Sequence, residues 1–376
     1  MHHSHCVGDA RKIKSPGLPA RPFEAISDLR LGTVPLSNED HEEIGLLDQT
    51  TLSEPRSDCL TFSPKNCRRL DSCQQWKAVR SVGEGCVFHY HSGMAEDADI
   101  DLRAAFNAIS DVVQNRPRPL RVFDQIYMKA GDMVLQSELV ARWANGKKLA
   151  FIGDGDAISV CVAYLHSREI INYGPSEIAV FDFDERICGA VTRFADNERL
   201  DQIRAELYNC LDAFPGSTDF DCFYTNPPWG ASNDGESVKV FLQRGLEATG
   251  YVGEGMVVIA DDPDLDWPKR VLSNVQTFAI QSGFFVQRMM PQLHYYHLDD
   301  APNLRSCNLI FKALPGNRAP GPSQRISDPA RLAHFYGRDN PPRVRYVREK
   351  ERLDYGKAHE DEYSLELLED SHGTHH

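Results

Sequence analysis

The chain has 376 residues, 41% of them apolar, and its 41 Lys and Arg against 55 Asp and Glu leave a formal net charge of −14. That length suits two domains, or one large domain with an appendage, around a sizeable core. The charge argues against a general nucleic-acid binder and suits a cationic or neutral small ligand, and the sequence holds no run of 18 apolar residues that could span a membrane.

Residues 1–57 are polar and rich in Pro, Ser, Asp and Glu, and read as a partly irregular arm. The opening "MHHSHCVGDARK" lacks the apolar stretch of a signal peptide. His375 and His376 read as the stub of a purification tag and are set aside. Residues 58–118 read as a small N-terminal domain around the helix "DIDLRAAFNAISDVVQN", where Leu102, Phe106, Ile109 and Val113 recur at helical spacing. The group Cys59, Cys67, Cys73, Cys86, His89 and His91 contains no C-x-x-C pair, so unpaired thiols are expected there rather than zinc. Ten cysteines are scattered along the chain, with Cys161, Cys188, Cys210 and Cys307 inside predicted elements. This pattern reads as reduced thiols in the cytoplasm, not a disulfide framework. The Pro-rich "NRPRPL" at 115–120 reads as a hinge.

From 119 to 314 strands and helices alternate. "SELVARWA" (137–144) is a predicted helix, "KKLAFIG" (147–153) a strand, and "DGDAISVCVAYLH" a turn and helix. "EIAVFDFD" (177–184) is the next strand, "LDQIRAELY" (200–208) a helix or extended link, and "DCFYTN" (221–226) another strand. The helix "SVKVFLQRGLEA" (237–248), the strand "GMVVIA" (255–260) and a helix near 268–282 follow. "FFVQRMMPQLHYYH" and "SCNLIFKAL" are strand-like with no helix between them. The alternation predicts an α/β fold, a doubly wound and mostly parallel sheet, and the final pair adds an antiparallel edge. The order resembles the seven-stranded, Rossmann-like class I S-adenosylmethionine-dependent transferases. Residues 315–376 are Pro/Gly-rich and then charged, a tail expected to wrap the domain or stay partly disordered.

Four segments place polar groups at strand ends, where a doubly wound sheet binds its ligand. In "FIGDGDAIS", Gly153 and Gly155 allow a tight turn, Ile158 stands where a dinucleotide motif needs glycine, and Asp154 and Asp156 would repel phosphate and attract a sulfonium or an amine. A structural glycine turn explains the loop equally well. In "VFDFDE", Asp182 is placed to bind ribose hydroxyls, while Asp184 reads by default as the cap of the following helix. In "YNCLDAFP", Asp212 could accept from an adenine amino group, or serve as a turn residue. In "DCFYTNPPWG", two prolines stiffen an elbow on which the Asn226 amide oxygen and the Pro227 carbonyl can converge on one amino group. Trp229 offers a flat face beside them, and a plain strand-to-helix turn is the competing reading.

With "FDQIYM" (123–128) and "FLQRGLEAT", these segments resemble the catalytic domain of the branched-chain polyamine synthases, the N4-bis(aminopropyl)spermidine synthases, over about 120–312. The resemblance implies that decarboxylated S-adenosylmethionine donates an aminopropyl group to a polyamine nitrogen. It also implies that an acidic Gly-Asp-Asp-Asp loop helps to bind and deprotonate the acceptor. Two positions depart from that pattern: the loop is Gly153-Asp154-Gly155-Asp156, and Asn226 replaces the aspartate of an Asp-Pro-Pro elbow. Asn-Pro-Pro followed by an aromatic is also the amino-group clamp of N6-adenine and related amine methyltransferases.

The expected reaction is alkyl transfer from a sulfonium nucleoside to an amine, with aminopropyl transfer first. A free amine has a pKa of about 10, so a carboxylate, Asp154 or Asp156, is expected to take its proton, while Asn226 orients it. Gln125 is placed to contact the donor's tail. Acidic "DDPDLD" (261–266) and the group His294, Tyr295, Tyr296 and His297 could border the acceptor, or serve as a solvated loop and as packing. An amine N-methyltransferase using the intact donor is the alternative, and a catalytically silent Rossmann-like binding module the third reading. The expected partner is a small cationic amine, with pairing to a second copy of the chain left open and neither membrane nor nucleic acid expected.

Overall fold

The structure, a computed structural model, describes residues 100–216, 218–337, 342–350 and 362–368. The polar arm and the Cys59–His91 group expected from sequence lie outside these residues.

The first helix, α1 (Leu102–Asn115), begins where Asp101 accepts hydrogen bonds from Arg103 N and Ala104 N, both at 3.0 Å. Its buried face is Ala105, Ala108, Ile109 and Val112, whereas Leu102 and Phe106 are exposed. The sequence expectation of a Leu102–Phe106–Ile109–Val113 face is therefore rotated. Small Ala105 and Ala108 form the packed surface, in the same hydrophobic core as Met133, Val140 and Ile158. The helix assigned by sequence to a separate N-terminal domain thus shares the core of the sheet domain.

Helix α2 (Ala130–Trp143) leads into β1 (Lys148–Ile152), α3 (Ile158–Ser167), β2 (Glu177–Asp182), α4 (Glu185–Glu198) and β3 (Ile203–Leu207). Then come β4 (Cys222–Thr225), α5 (Glu236–Ala248), β5 (Glu254–Ala260), α6 (Asp266–Gln281), β6 (Phe284–Tyr295) and β7 (Arg305–Ala313). The segment at 200–208, ambiguous in sequence, is a strand whose alternating burial marks one covered and one open face. Strand order is β3-β2-β1-β4-β5-β7-β6, parallel through β5, with β7 antiparallel to both neighbours. β1, β4 and most of β2 and β5 are buried apolar runs, as strands covered by helices on both faces must be.

Two long-range features shape the ligand end. β6 is bulged at Val286/Arg288 and Met290/His294, and its end reaches residues 127–129. There Lys129 N donates to Tyr295 O and His297 N to Tyr127 O, both at 2.9 Å, with Met128 opposite Tyr296. The tail wraps the domain. Buried Arg244 of α5 donates to Cys210 O (2.7 Å), Gln324 O (2.9 Å) and Ser323 Oγ (2.9 Å), and pairs with Glu247. Ser237 Oγ donates to Phe335 O at 2.6 Å. Beyond the short helix α7 (Pro329–Leu332), the hairpin β8 (Val344–Glu349) and β9 (Tyr363–Leu367) is tied to α4 through Arg193 and Glu349.

Candidate active site

A cleft of about 780 Å³, open to solvent, lies beyond the carboxyl ends of β1, β2 and β4. Gly153, Asp154, Gly155, Asp156, Asp182 and Asn226 all line it.

At the β1–β2 end, Gly153 has φ +75° and donates its N–H to Phe181 O at 2.8 Å. The left-handed backbone there favours glycine, and a Cβ would sit a tight 3.2 Å from Phe241 Cε1. Asp182 accepts Asp154 N on one oxygen and Asp184 N on the other, each at 2.9 Å. Each oxygen keeps a second lone pair, the arrangement needed to accept from two ribose hydroxyls. Burial, and then the Asp184 charge, push the Asp182 carboxyl up to about 7, against its backbone donors and Arg186. Asp184 caps α4 through Arg186 N and holds the Arg186 guanidinium at 2.9 and 2.6 Å, the capping role expected by default. Phe183 stacks with Tyr336 at 6.0 Å and meets Phe123 edge-on at 5.2 Å, and the three form an aromatic wall of the cleft.

The two loop carboxylates have different surroundings. Asp154 is turned onto the first turn of α3, where the Ser159 hydroxyl and N–H both donate to it. Burial pushes its carboxyl well above the usual range all the same. Asp156 accepts Met128 N and Asn226 Nδ2, both at 2.7 Å, and lies 3.9 Å from the Arg116 guanidinium. Burial raises its pKa, with Arg116 the main opposing influence. Arg116 also donates to Asp156 O at 2.9 Å and lies over the Tyr127 ring at 4.2 Å, and the Tyr127 hydroxyl donates to Pro117 O at 3.0 Å. The Pro-rich hinge expected at 115–120 is thus an anchor. A Cβ on Gly155 would sit 3.3 Å from Tyr127 Cε1, so the Tyr127 ring stands where a side chain at 155 would start.

At the elbow, β4 ends with Thr225 Oγ1 donating to Ile152 O at 2.6 Å, and Asn226 emerges half-buried. Pro227 and Trp229 line the cleft beside it. Trp229 is buried, meets Tyr296 edge-on at 4.9 Å, and leaves its Nε1 without a partner among the described residues.

One expected site residue, Asp212, does not reach the cleft. Asp212 is outside the cleft lining and is ion-paired to Arg345 (3.4 Å) and Arg325 (3.9 Å), because the wrapped tail brings these arginines to it. Gln125 borders the cleft, but its amide is committed to Leu120 N (2.7 Å) and Asp184 Oδ2 (3.2 Å). None of His294, Tyr295, Tyr296 and His297 lines the cleft: His294 and Tyr296 are buried beside the elbow, and His297 is exposed. The acidic loop 261–266 also stays outside the lining, the alternative reading made for it. Among residues not singled out, Asp124 lines the cleft in left-handed conformation, φ 57°, with its carboxyl pushed up to about 6 by burial against the pull of Arg121. Its place in "FDQIYM", beside Gln125, was the signal available.

The family model for the branched-chain polyamine synthase A C-terminal domain matches residues 104–368. The chain belongs to this family. It is 30% identical over 154 residues to an uncharacterised protein of Methanocaldococcus jannaschii, covering 40% of this chain and 35% of that one. It is 26% identical over 140 residues to the N(4)-bis(aminopropyl)spermidine synthase of Thermococcus kodakarensis, covering 36% of this chain and 37% of that one. The matches thus span little more than a third of these curated relatives. Among solved structures, the branched-chain polyamine synthase of Thermus thermophilus, in complex with N4-aminopropylspermidine and 5′-methylthioadenosine, superposes with TM-score 0.51 at 21% identity. That likeness covers 61% of this chain and 68% of that one, and shows a shared fold. No helix among the described residues is long and apolar enough to cross a membrane.

Proposed function

We propose that the protein transfers an aminopropyl group from decarboxylated S-adenosylmethionine to an amine nitrogen of a polyamine-like acceptor. The observation that carries this reading is the Asn226–Asp156 pair, 2.7 Å apart, facing the same cleft as Asp182. Asp182 would take the ribose hydroxyls and the Phe183 wall the base, so that the sulfonium lies between Gly153 and the elbow. The amine would rest on Asn226 Oδ1 and the Pro227 carbonyl. Its lone pair attacks the carbon bound to sulfur, the C–S bond breaks with its electron pair passing to sulfur, and neutral methylthioadenosine leaves. Asp156 would supply the negative charge beside the nitrogen and is the nearer candidate for the lost proton, because it touches Asn226 whereas Asp154 is turned away onto Ser159. Holding the two centres in line supplies most of the acceleration. Asp124, in the same cleft, would attract a second cationic group of the acceptor.

Methyl transfer from the intact donor to an amine is the second reading, and one observation favours it. Arg116 lies close enough to offset the Asp156 charge, which lessens the repulsion of a donor carboxylate. Incubation of the full chain with each donor and a panel of amines, followed by mass spectrometry, separates the two. A gain of one aminopropyl unit is expected, and a gain of methyl alone would overturn the proposal.

A further inference from the structure

Arg116 is where α1 stops. The proline after it favours extended backbone at 116, and the residue sits at φ −78°, ψ 151°, its N–H closing the last turn on Val112 O at 3.0 Å. The side chain turns back into the domain. Its guanidinium covers the Tyr127 ring at 4.2 Å, donates to Met133 Sδ at 3.4 Å and to Asp156 O at 2.9 Å, and lies 3.9 Å from Asp156 Oδ1. The Tyr127 hydroxyl closes the arrangement by donating to Pro117 O at 3.0 Å. Asp156 and Tyr127 line the cleft, and Arg116 does not. It borders instead a small hollow on the other side of the loop, with Val112 of α1, Val160 of α3 and Ala190 of α4. The guanidinium therefore stands behind Asp156, and the carboxylate lies between it and the ligand.

A carboxyl as buried as Asp156 is driven to hold a proton unless charge or hydrogen bonds oppose it. Two neutral donors oppose it, Met128 N and Asn226 Nδ2, each at 2.7 Å. Arg116 adds a full charge of opposite sign from within the protein. The other titratable groups that act on Asp156 are Asp154 in the same loop, Tyr127 before α2, Cys161 of α3, Tyr224 of β4, and Tyr296 and His297 beyond β6. Burial pushes the three phenols, the thiol and the Asp154 carboxyl up, so none of them offers a counter-charge near pH 7. His297 is exposed, where water and salt screen it. A protonated Asp156 could neither attract a cationic acceptor nor take a proton from its nitrogen.

We propose that Arg116 is a positioning residue for the transfer, fixing the backbone of residue 156 and keeping the Asp156 carboxylate charged and bonded to Asn226, so that the amine meets an anion at the elbow. This assignment rests on the reading of the elbow as the amine site. It gives the Arg116–Pro117 junction after α1 a part in the chemistry without contact to the substrate. The guanidinium also repels a protonated amine beside Asp156, and so favours the neutral form that can attack.

The test uses the full chain with aspartate carboxyls labelled with carbon-13, and the Asp156 resonance is assigned by its absence in Asp156→Asn. Arg116→Met keeps most of the side chain's bulk without its charge, and Arg116→Lys returns a charge without the planar fork. In Arg116→Met the Asp156 titration midpoint should rise by about one pH unit or more, as loss of so close an opposite charge implies. In Arg116→Lys it should return toward that of the unaltered protein. The acid limb of turnover against pH should move by the same amount, while methylthioadenosine binds as before. A midpoint that does not move in Arg116→Met overturns the proposal. If circular dichroism shows Arg116→Met unfolded, the double variant Arg116→Met with Asp156→Asn decides. Its folding supports the proposal, since neither buried charge remains, and its failure overturns it, since packing alone then needs Arg116. Absence of aminopropyl product from the unaltered protein would instead overturn the activity and leave the midpoint shift standing.

Discussion

At the nucleoside end of the cleft, Gly153 and Asp182 sit at the tips of β1 and β2, adjacent strands paired from Lys148–Glu177 to Ile152–Phe181. At the amine end, Asn226 is held by Asp156 from the β1 loop, and Asp156 in turn by Arg116 and Met128 from the segment before α2. One half of the site is assembled by neighbouring strands, the other by stretches up to about 110 residues apart. The comparison teaches that a fold can fix where a donor lies while distant segments decide what it reacts with. Changes at the two ends should therefore separate donor binding from turnover.

The largest effect lies outside both ends. Arg244 is fully buried and fastens the tail to α5, so Arg244→Leu leaves Glu247 and the Ser323–Gln324 turn without their partner. Breaking such a buried pair costs about 3–5 kcal/mol, to be read as a lower denaturation midpoint. A loss below about 1 kcal/mol would show that the tail does not depend on it. Next is Asp156→Asn, which removes the charge beside the amine and the acceptor for Asn226 Nδ2. Turnover should fall about 100-fold while methylthioadenosine affinity changes by no more than about twofold. Equal loss of both would erase the distinction between the two ends.

Asp182 sharpens the donor side through pH. Its folded pKa of about 7 lies above the ordinary value of 3.8. The group therefore costs stability increasingly as pH rises from about 4 to about 7, and the cost is constant above that. Ribose hydroxyls donate to the ionised form, so methylthioadenosine affinity should fall as pH is lowered through about 7, as read by calorimetry. Asp182→Asn should bind about tenfold more weakly near pH 8 and show no such dependence. A wild-type affinity flat from pH 8 to 6 would remove Asp182 from the ribose. The smallest effect is that of Gly153→Ala, at φ +75° and 3.2 Å from Phe241, which should cost about 1 kcal/mol of stability and weaken the donor in step.

The same division explains what the sequence made legible. Apolar runs at 147–153, 177–184, 221–226 and 255–260 carry the sheet because burial on both faces leaves few other readings for such segments. Gly153, Asp182 and the Asn226 elbow were visible because each lies at the end of such a run. Arg116 was not: "NRPRPL" shows two prolines, and nothing local shows that its arginine lies over Tyr127 and against Asp156. Asp212 was misplaced because a local reading omits Arg325 and Arg345, more than 100 residues on. The tail looked like solvated charge, yet Arg244 and Ser237 anchor it from a helix whose own pattern gave no hint of a partner.

The most direct measurement is a crystal structure of the protein with methylthioadenosine. The account predicts ribose hydroxyls on both Asp182 oxygens, the base along Phe183, and the sulfur facing Asn226 Oδ1 and the Pro227 carbonyl. A nucleoside bound with its sulfur directed away from the elbow, or in another cavity, would contradict it.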